Sequence, residues 1–213
     1  MSISYLHFFD FLGVAVFAAT GALAASRKQL DIVGFIFFAS ATGIGGGTLR
    51  DLLLGKLPVF WIEEPTYIAA CTISAVVVYF LAHLVEYRYR LLLWLDAIGL
   101  SAYCVMGTMI ALEYGISPYA AIVMGVMTAT FGGVFRDVLS GEHSVLLRNE
   151  IYITAALLGS ITYVLLISAN LEKIFSVMIS VSLAFALRAS SLHYGWVMPR
   201  YKPKEGRKRN RLG

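Results

Sequence analysis

The chain has 213 residues, is 59% hydrophobic and only 14% charged, and has a mean hydropathy of +0.76. A soluble domain of this size carries about a quarter charged residues. The apolar residues fall in runs near or above the ~20 residues that cross a hydrocarbon core, which excludes an ordinary soluble enzyme and predicts an all-α integral membrane protein. The net charge of +4, 17 basic groups against 13 acidic, comes largely from the chain's end, where seven basic residues lie between Arg200 and Arg211. That cluster reads as a topogenic tail beside anionic lipid. Nothing accompanies it that suggests nucleic-acid binding.

Seven spans follow from apolar length and charged borders. Span one runs from Tyr5 to Ala25 and stops at Arg27-Lys28; Asp10 inside it and the lack of a basic start argue against a signal peptide. Span two covers Ile32 to Leu54, span three Tyr67 to Val85, span four Leu92 to Leu112 and span five Pro118 to Leu139. Span six covers Ile151 to Ile167. Span seven, Ile174 to Leu187, is predicted to be the shortest, with room to extend toward Leu192. Continuous apolar runs without alternation indicate helices rather than a barrel. Cys71 and Cys104 fall inside spans and read as small packing residues.

The loops set the orientation. Arg27, Lys28, Arg88, Arg90, Arg148 and the basic tail lie on one side; the other carries Lys56 and Lys173. The positive-inside rule puts the tail in the cytoplasm and the N-terminus outside, in the inner (plasma) membrane.

A shift of 86 residues aligns the chain with itself without a gap from Asp10 to Ala70. Asp10 meets Asp96, Gly13 meets Gly99, Gly21 meets Gly107, Thr42 meets Thr128 and Glu64 meets Glu150. Gly46-Gly47-x-x-Arg50-Asp51 and Gly55 meet Gly132-Gly133-x-x-Arg136-Asp137 and Gly141. Three spans per repeat is an odd number, so the halves are inverted in the membrane, an arrangement typical of transport proteins. The expected organisation is a first repeat over 5–90, an inverted second repeat over 91–169, a seventh helix over 170–193, and a basic cytoplasmic tail over 194–213.

The repeated motif carries the chemistry. Four glycines in five residues from Gly43, Gly45 to Gly47 among them, predict that span two kinks or unwinds, freeing backbone groups that belong beside a cavity. With Thr42 and Thr48 these could line a path for a partly dehydrated cation. Thr128, Gly132 and Gly133 give span five a weaker version. The alternative is close helix packing at small residues. Arg50 and Asp51 point about 100° apart as helix neighbours and are not expected to pair with each other. Two readings of Arg50 and Arg136 stand. A straight helix carries Arg50 about 27 Å along, to an interface where it could snorkel. Alternatively each arginine turns inward to a carboxylate of another span, with Asp10 and Asp96 as candidate partners. The histidines His7, His83, His143 and His193 lie near borders, and Trp61 reads as an interfacial anchor. No nucleophile set, phosphate loop or metal spacing is present in the sequence.

The two Gly-Gly-x-x-Arg-Asp motifs, with seven spans and a basic tail, resemble the bacterial branch of the TRIC family, the trimeric intracellular cation channels. The same bacterial group is also described by a tandem glycine transporter domain. The resemblance covers about Tyr5 to Leu192. It implies a homotrimer with a pore in each subunit, lined by spans two and five kinked at Gly45-Gly46-Gly47 and Gly132-Gly133, and permeable to monovalent cations, chiefly potassium. It implies no cofactor beyond a permeant potassium or sodium ion, and no enzymatic activity. Phe131 and Val134 depart from the pattern at the positions of Gly45 and Thr48. Two functions remain open: a passive cation channel, and a secondary transporter of a small solute such as glycine.

Overall fold

Helix boundaries are written in the local sequence. Asp31 caps the second helix by accepting the Gly34 amide at 2.8 Å, and Gly55 closes it in the left-handed region at φ 70°, a conformation that costs glycine little. Pro118 stands at the start of the sixth helix, where its missing amide is harmless. In a computed structural model describing residues 2–85, 87–142 and 151–199, with backbone alone for residues 2–9, the described elements are helical. They are α1 (Ser2–Arg27), α2 (Ile32–Leu54), the short α3 (Phe60–Glu63), α4 (Thr66–Leu81) extended by a 3-10 turn over Ala82–Leu84, α5 (Arg88–Glu113), α6 (Pro118–Leu139), α7 (Ile153–Ser168) and α8 (Lys173–Tyr194).

Six of these are long and apolar enough to cross a membrane, and α7, at 16 residues, is a shorter apolar helix. The protein is therefore an all-helical membrane protein. Span seven is not the shortest: α8 has 22 residues. The expected end at Leu187 is passed because the next side chain, Arg188, is fully buried and the helix continues to Tyr194. The short α3 was not expected. The basic tail from Arg200 onward, with Arg148 and Glu150, lies outside the described residues.

The packing is built on two crossings. Helix α1 packs on α2 and α5 on α6, while α1 faces α5 and α2 faces α6; α4 covers α1 and α2, α7 covers α5 and α6, and α8 packs on α5 and α7. Close contacts occur in pairs separated by 86 residues. A side chain at Gly46 would sit 2.1 Å from the Thr128 carbonyl oxygen, and one at Gly132 would sit 2.5 Å from that of Thr42. A Cβ at Gly13 would strike the Tyr103 ring and one at Gly99 the Phe17 ring, and those two rings lie 5.4 Å apart. Gly21 leaves room for Thr42, and Gly107 for Thr128.

The expected unwinding at the glycines does not occur. Helix α2 is continuous α-helix from Ile32 to Leu54, and α6 from Pro118 to Leu139. The glycines are spent on proximity: their missing side chains let helix backbones touch. Substituting Gly46 with alanine should force α2 and α6 apart, a loss of about 1–3 kcal/mol read as a lower thermal midpoint in detergent. Gly45→Ala should cost less, because its Cβ meets only the movable Phe135 ring. Equal losses at the two positions would assign the effect to helix propensity instead.

Candidate functional site

The two Arg-Asp pairs lie in the interior, not at the surface. The side chains of Arg50 and Asp51 are 3% and 0% exposed, those of Arg136 and Asp96 1% and 0%. This removes the snorkelling reading of both arginines. Ionised groups at such depth need partners, and each arginine first uses its own neighbour. Arg50 Nε donates to Asp51 Oδ1 at 2.8 Å, and Arg136 Nε to Asp137 Oδ1 at 2.9 Å. The expectation that helix neighbours cannot pair is therefore wrong. Their Cβ directions diverge, but the guanidinium ends a long flexible stem that can swing sideways to a carboxylate when no water competes for it.

Beyond this shared element the halves differ. Arg136 Nη1 also donates to Asp96 Oδ1 at 2.6 Å and to Thr20 Oγ1 at 3.2 Å. One guanidinium thus ties α6 to both α5 and α1. The pairing of Arg136 with Asp96 holds as read. The pairing of Arg50 with Asp10 does not. Asp10 Oδ2 instead accepts from the Tyr67 hydroxyl at 2.7 Å, and its backbone carbonyl accepts from Tyr103 at 3.1 Å. Tyr67 and Phe60 meet edge to face at 4.8 Å, and the Arg50 guanidinium lies over the Phe60 ring at 5.7 Å. Asp51 Oδ2 accepts the Phe60 amide at 2.9 Å. An aromatic pair thus stands between Asp10 and Arg50. Arg50 Nη1 finds no hydrogen-bond partner among the described residues.

The threonines are placed as helix-facing hydroxyls. Thr42 and Thr128 are buried and donate to the carbonyls of Phe38 and Met124, each at 2.7 Å. Thr48 donates to Ile44 O at 2.7 Å and accepts from Trp61 Nε1 at 2.9 Å, so Trp61 is tied to the motif. These bonds consume the hydroxyl protons and leave oxygen lone pairs, the polarity a cation prefers. Gly47 packs against the Phe60 ring, and Gly133 beside the Tyr152 hydroxyl and Arg136 Nη2.

Sequence reading missed Thr20, Tyr67, Tyr152 and Arg188 as members of these networks. Tyr67 marks only the start of span three in the sequence. Arg188 carried a signal, a lone charge inside an apolar pattern, and its guanidinium lies over the buried Tyr152 ring at 5.1 Å. Thr20 carried none beyond adjacency to Gly21. No group of three or more metal-binding side chains is found among the described residues.

A polytopic helical bundle joined by glycine crossings, with buried guanidinium-carboxylate pairs at its core, defines the class of helical-bundle integral membrane proteins. The comparisons sharpen this. The family model described as Glycine transporter matches twice, over residues 7–83 and 93–168. A "UPF0126 membrane protein" of Vibrio cholerae is 36% identical over 202 residues, covering 93% of this chain and 83% of the relative. The "UPF0126 inner membrane protein YadS" of Escherichia coli K12 is 36% identical over 162 residues, 74% of this chain and 77% of the relative. The crystal structure of the TRIC trimeric intracellular cation channel orthologue from Rhodobacter sphaeroides superposes with a TM-score of 0.89 at 50% identity, covering 91% of this chain and all of that one. The chain belongs to the bacterial TRIC family, the group that also carries the glycine transporter description. It is a multi-pass inner membrane protein and not an enzyme.

The unequal networks set an expectation. Asp96→Asn removes a buried partner of Arg136 and should lower unfolding stability by about 3 kcal/mol, the low end for a broken buried pair because Asp137 remains. Asp10→Asn exchanges one neutral-donor hydrogen bond for another and should cost about 1 kcal/mol or less. Denaturant titration in detergent distinguishes the two, and equal losses would contradict the difference drawn between the halves.

Proposed function

We propose that this protein is a monovalent cation channel, permeable to potassium, with the pathway of each subunit between α2 and α6. The observation that carries the reading is the α2–α6 crossing. There Gly46 and Gly132 bring the Thr42 and Thr128 carbonyls to the junction of the halves, and buried Arg-Asp pairs follow on both helices. The likeness to a solved TRIC channel orthologue at 50% identity supports it. In this reading the architecture is seven spans, two inverted three-helix repeats plus α8, and the molecule works as a homotrimer in lipid. Thr42, Gly45, Gly46, Gly47, Thr48, Thr128, Gly132 and Gly133 border the ion path, and Arg50, Asp51, Arg136 and Asp137 set its electrostatic profile. The helices separate or bend at the glycines to conduct. Charge placement orients it: Arg27, Lys28, Arg88 and Arg90 face the cytoplasm.

The glycine transporter match favours a second reading, in which the same crossing binds a small solute and rocks between two access states. Purified protein in planar bilayers under a potassium gradient separates them. The channel gives discrete unitary currents reversing near the potassium potential. Absence of currents together with saturable glycine uptake into liposomes would overturn it in favour of the transporter.

A further inference from the structure

The 86-residue offset predicts that Asp10 and Asp96 play equal parts, yet they sit in opposite electrostatic situations. Asp96 is fully buried and neutralised by Arg136 at 2.6 Å. Asp10 is half-buried, its partners are the neutral hydroxyls of Tyr67 and Tyr103, and no cationic group forms an ion pair with it among the described residues. The arginine that corresponds to Arg136 is committed elsewhere, with Arg50 Nε and Nη2 on Asp51 Oδ1 at 2.8 and 2.7 Å. Phe60 touches both that guanidinium and Tyr67, the residue that donates to Asp10. The residue 86 positions after Tyr67 is Ile153, and in the second half the Tyr152 hydroxyl lies beside Gly133 together with Asp96 and the Arg136 guanidinium.

A second observation concerns the end of the bundle on which Asp10 stands. Leu54 of α2 packs there against the cluster that Ala111 of α5 forms with Ala121 and Met124 of α6, and Lys173 at the head of α8 pairs with Glu113. Glu63, Glu64, Glu113 and Glu172 lie at this end against Lys56 and Lys173, whereas the opposite end carries Arg27, Lys28, Arg88 and Arg90. Lys56 lies 3.7 Å from Glu63 and Lys173 pairs with Glu113, so neither cation is directed at Asp10. This carboxylate, without an ion pair among the described residues, is set in an end where glutamates outnumber lysines, between low-dielectric walls that concentrate its field.

We propose that Asp10 recruits monovalent cations at this mouth of the molecule, a task its repeat counterpart Asp96 has given up to the ion pair with Arg136. The proposal rests on the channel reading, and deepens it by naming the residue that makes one mouth cation-attracting. No coordination shell is required. A single carboxylate about 6 Å from the ion in water-like surroundings changes the local cation concentration about threefold, and salt screens the effect.

The test uses the full chain. Asp10→Asn should lower unitary potassium conductance about threefold in dilute potassium chloride and leave it near wild type at about 1 M, where the screening length is ~3 Å. Asp10→Glu should behave as wild type. Asp10→Cys should regain conductance when modified with an anionic methanethiosulfonate and fall further with a cationic one, a response that a purely structural role would not give. Equal conductance of wild type and Asp10→Asn at every salt concentration, or rescue by either reagent regardless of charge, overturns the proposal. A wild type that carries no current overturns the channel reading instead. Cation recruitment is then judged from the thermal midpoint in potassium chloride against N-methylglucamine chloride. A potassium-dependent rise in wild type that is smaller in Asp10→Asn supports it, and identical responses of the two proteins reject it.

Discussion

Everything in this bundle depends on how closely α2 and α6 can approach. Gly46 lies against the Thr128 carbonyl, Gly132 against that of Thr42, and neither position has space for a methyl group. In a bilayer, apolar side chains gain little by leaving lipid for another helix, so association rests on dispersion contacts and backbone proximity. The two glycines supply that proximity at one of the two crossings that join the halves, the other being α1 against α5. The same contact fixes the rotation of each helix. With Gly46 and Gly47 turned inward, Arg50 and Asp51 one turn later are turned inward as well, and Gly132 and Gly133 do the same for Arg136 and Asp137.

Burial of the arginines follows from that rotation, and their chemistry follows from burial. A guanidinium away from water must keep its charge and find acceptors. The adjacent aspartate is the acceptor that cannot drift away, because one backbone carries both. The local pair makes each motif nearly neutral by itself, which lowers the cost of placing it at depth. The remaining donors then decide what each half does. Arg136 spends one of its nitrogens on Asp96 and Thr20, binding α5, α6 and α1 into a unit. Arg50 has Phe60 beneath it and an Nη1 without a hydrogen-bond partner among the described residues. The second half is latched by charge, and the first is wedged by aromatic rings.

How much of this the sequence showed depended on the kind of information each feature carries. The spans were legible because bilayer thickness imposes a length, and the 86-residue offset because charged residues and glycines rarely coincide by chance. The Arg136–Asp96 pair was legible because both residues are charged at depth and symmetry joined them. The state of the glycines was not. A glycine cluster is compatible with unwinding or with close packing, and only the position of the opposing carbonyl decides between them. The Arg50–Asp51 contact was excluded on Cβ directions alone, which ignored the reach of the arginine stem. The length of the seventh span was not legible, because Arg188 follows the apolar run that ends at Leu187, whereas the fold buries it against the Tyr152 ring.

The failed pairing of Asp10 with Arg50 shows what a duplicated sequence does and does not preserve. Residues that set backbone geometry remain matched: Gly13 with Gly99, Gly21 with Gly107, Gly46 with Gly132. Gly13 with Gly99 and Gly46 with Gly132 serve contacts that join the two halves, whereas Gly21 and Gly107 repeat one contact inside each half. Residues that fill the space around a charge are not matched in this way. Tyr67 and Ile153 stand at equivalent positions and differ, and Thr20 has Met106 as its counterpart. Asp10 meets the Tyr67 hydroxyl, and Asp96 meets an arginine. The backbone frame is thus close to symmetric and its electrostatics are not. The same helix crossings thus set one carboxylate against a tyrosine hydroxyl and the other against a guanidinium.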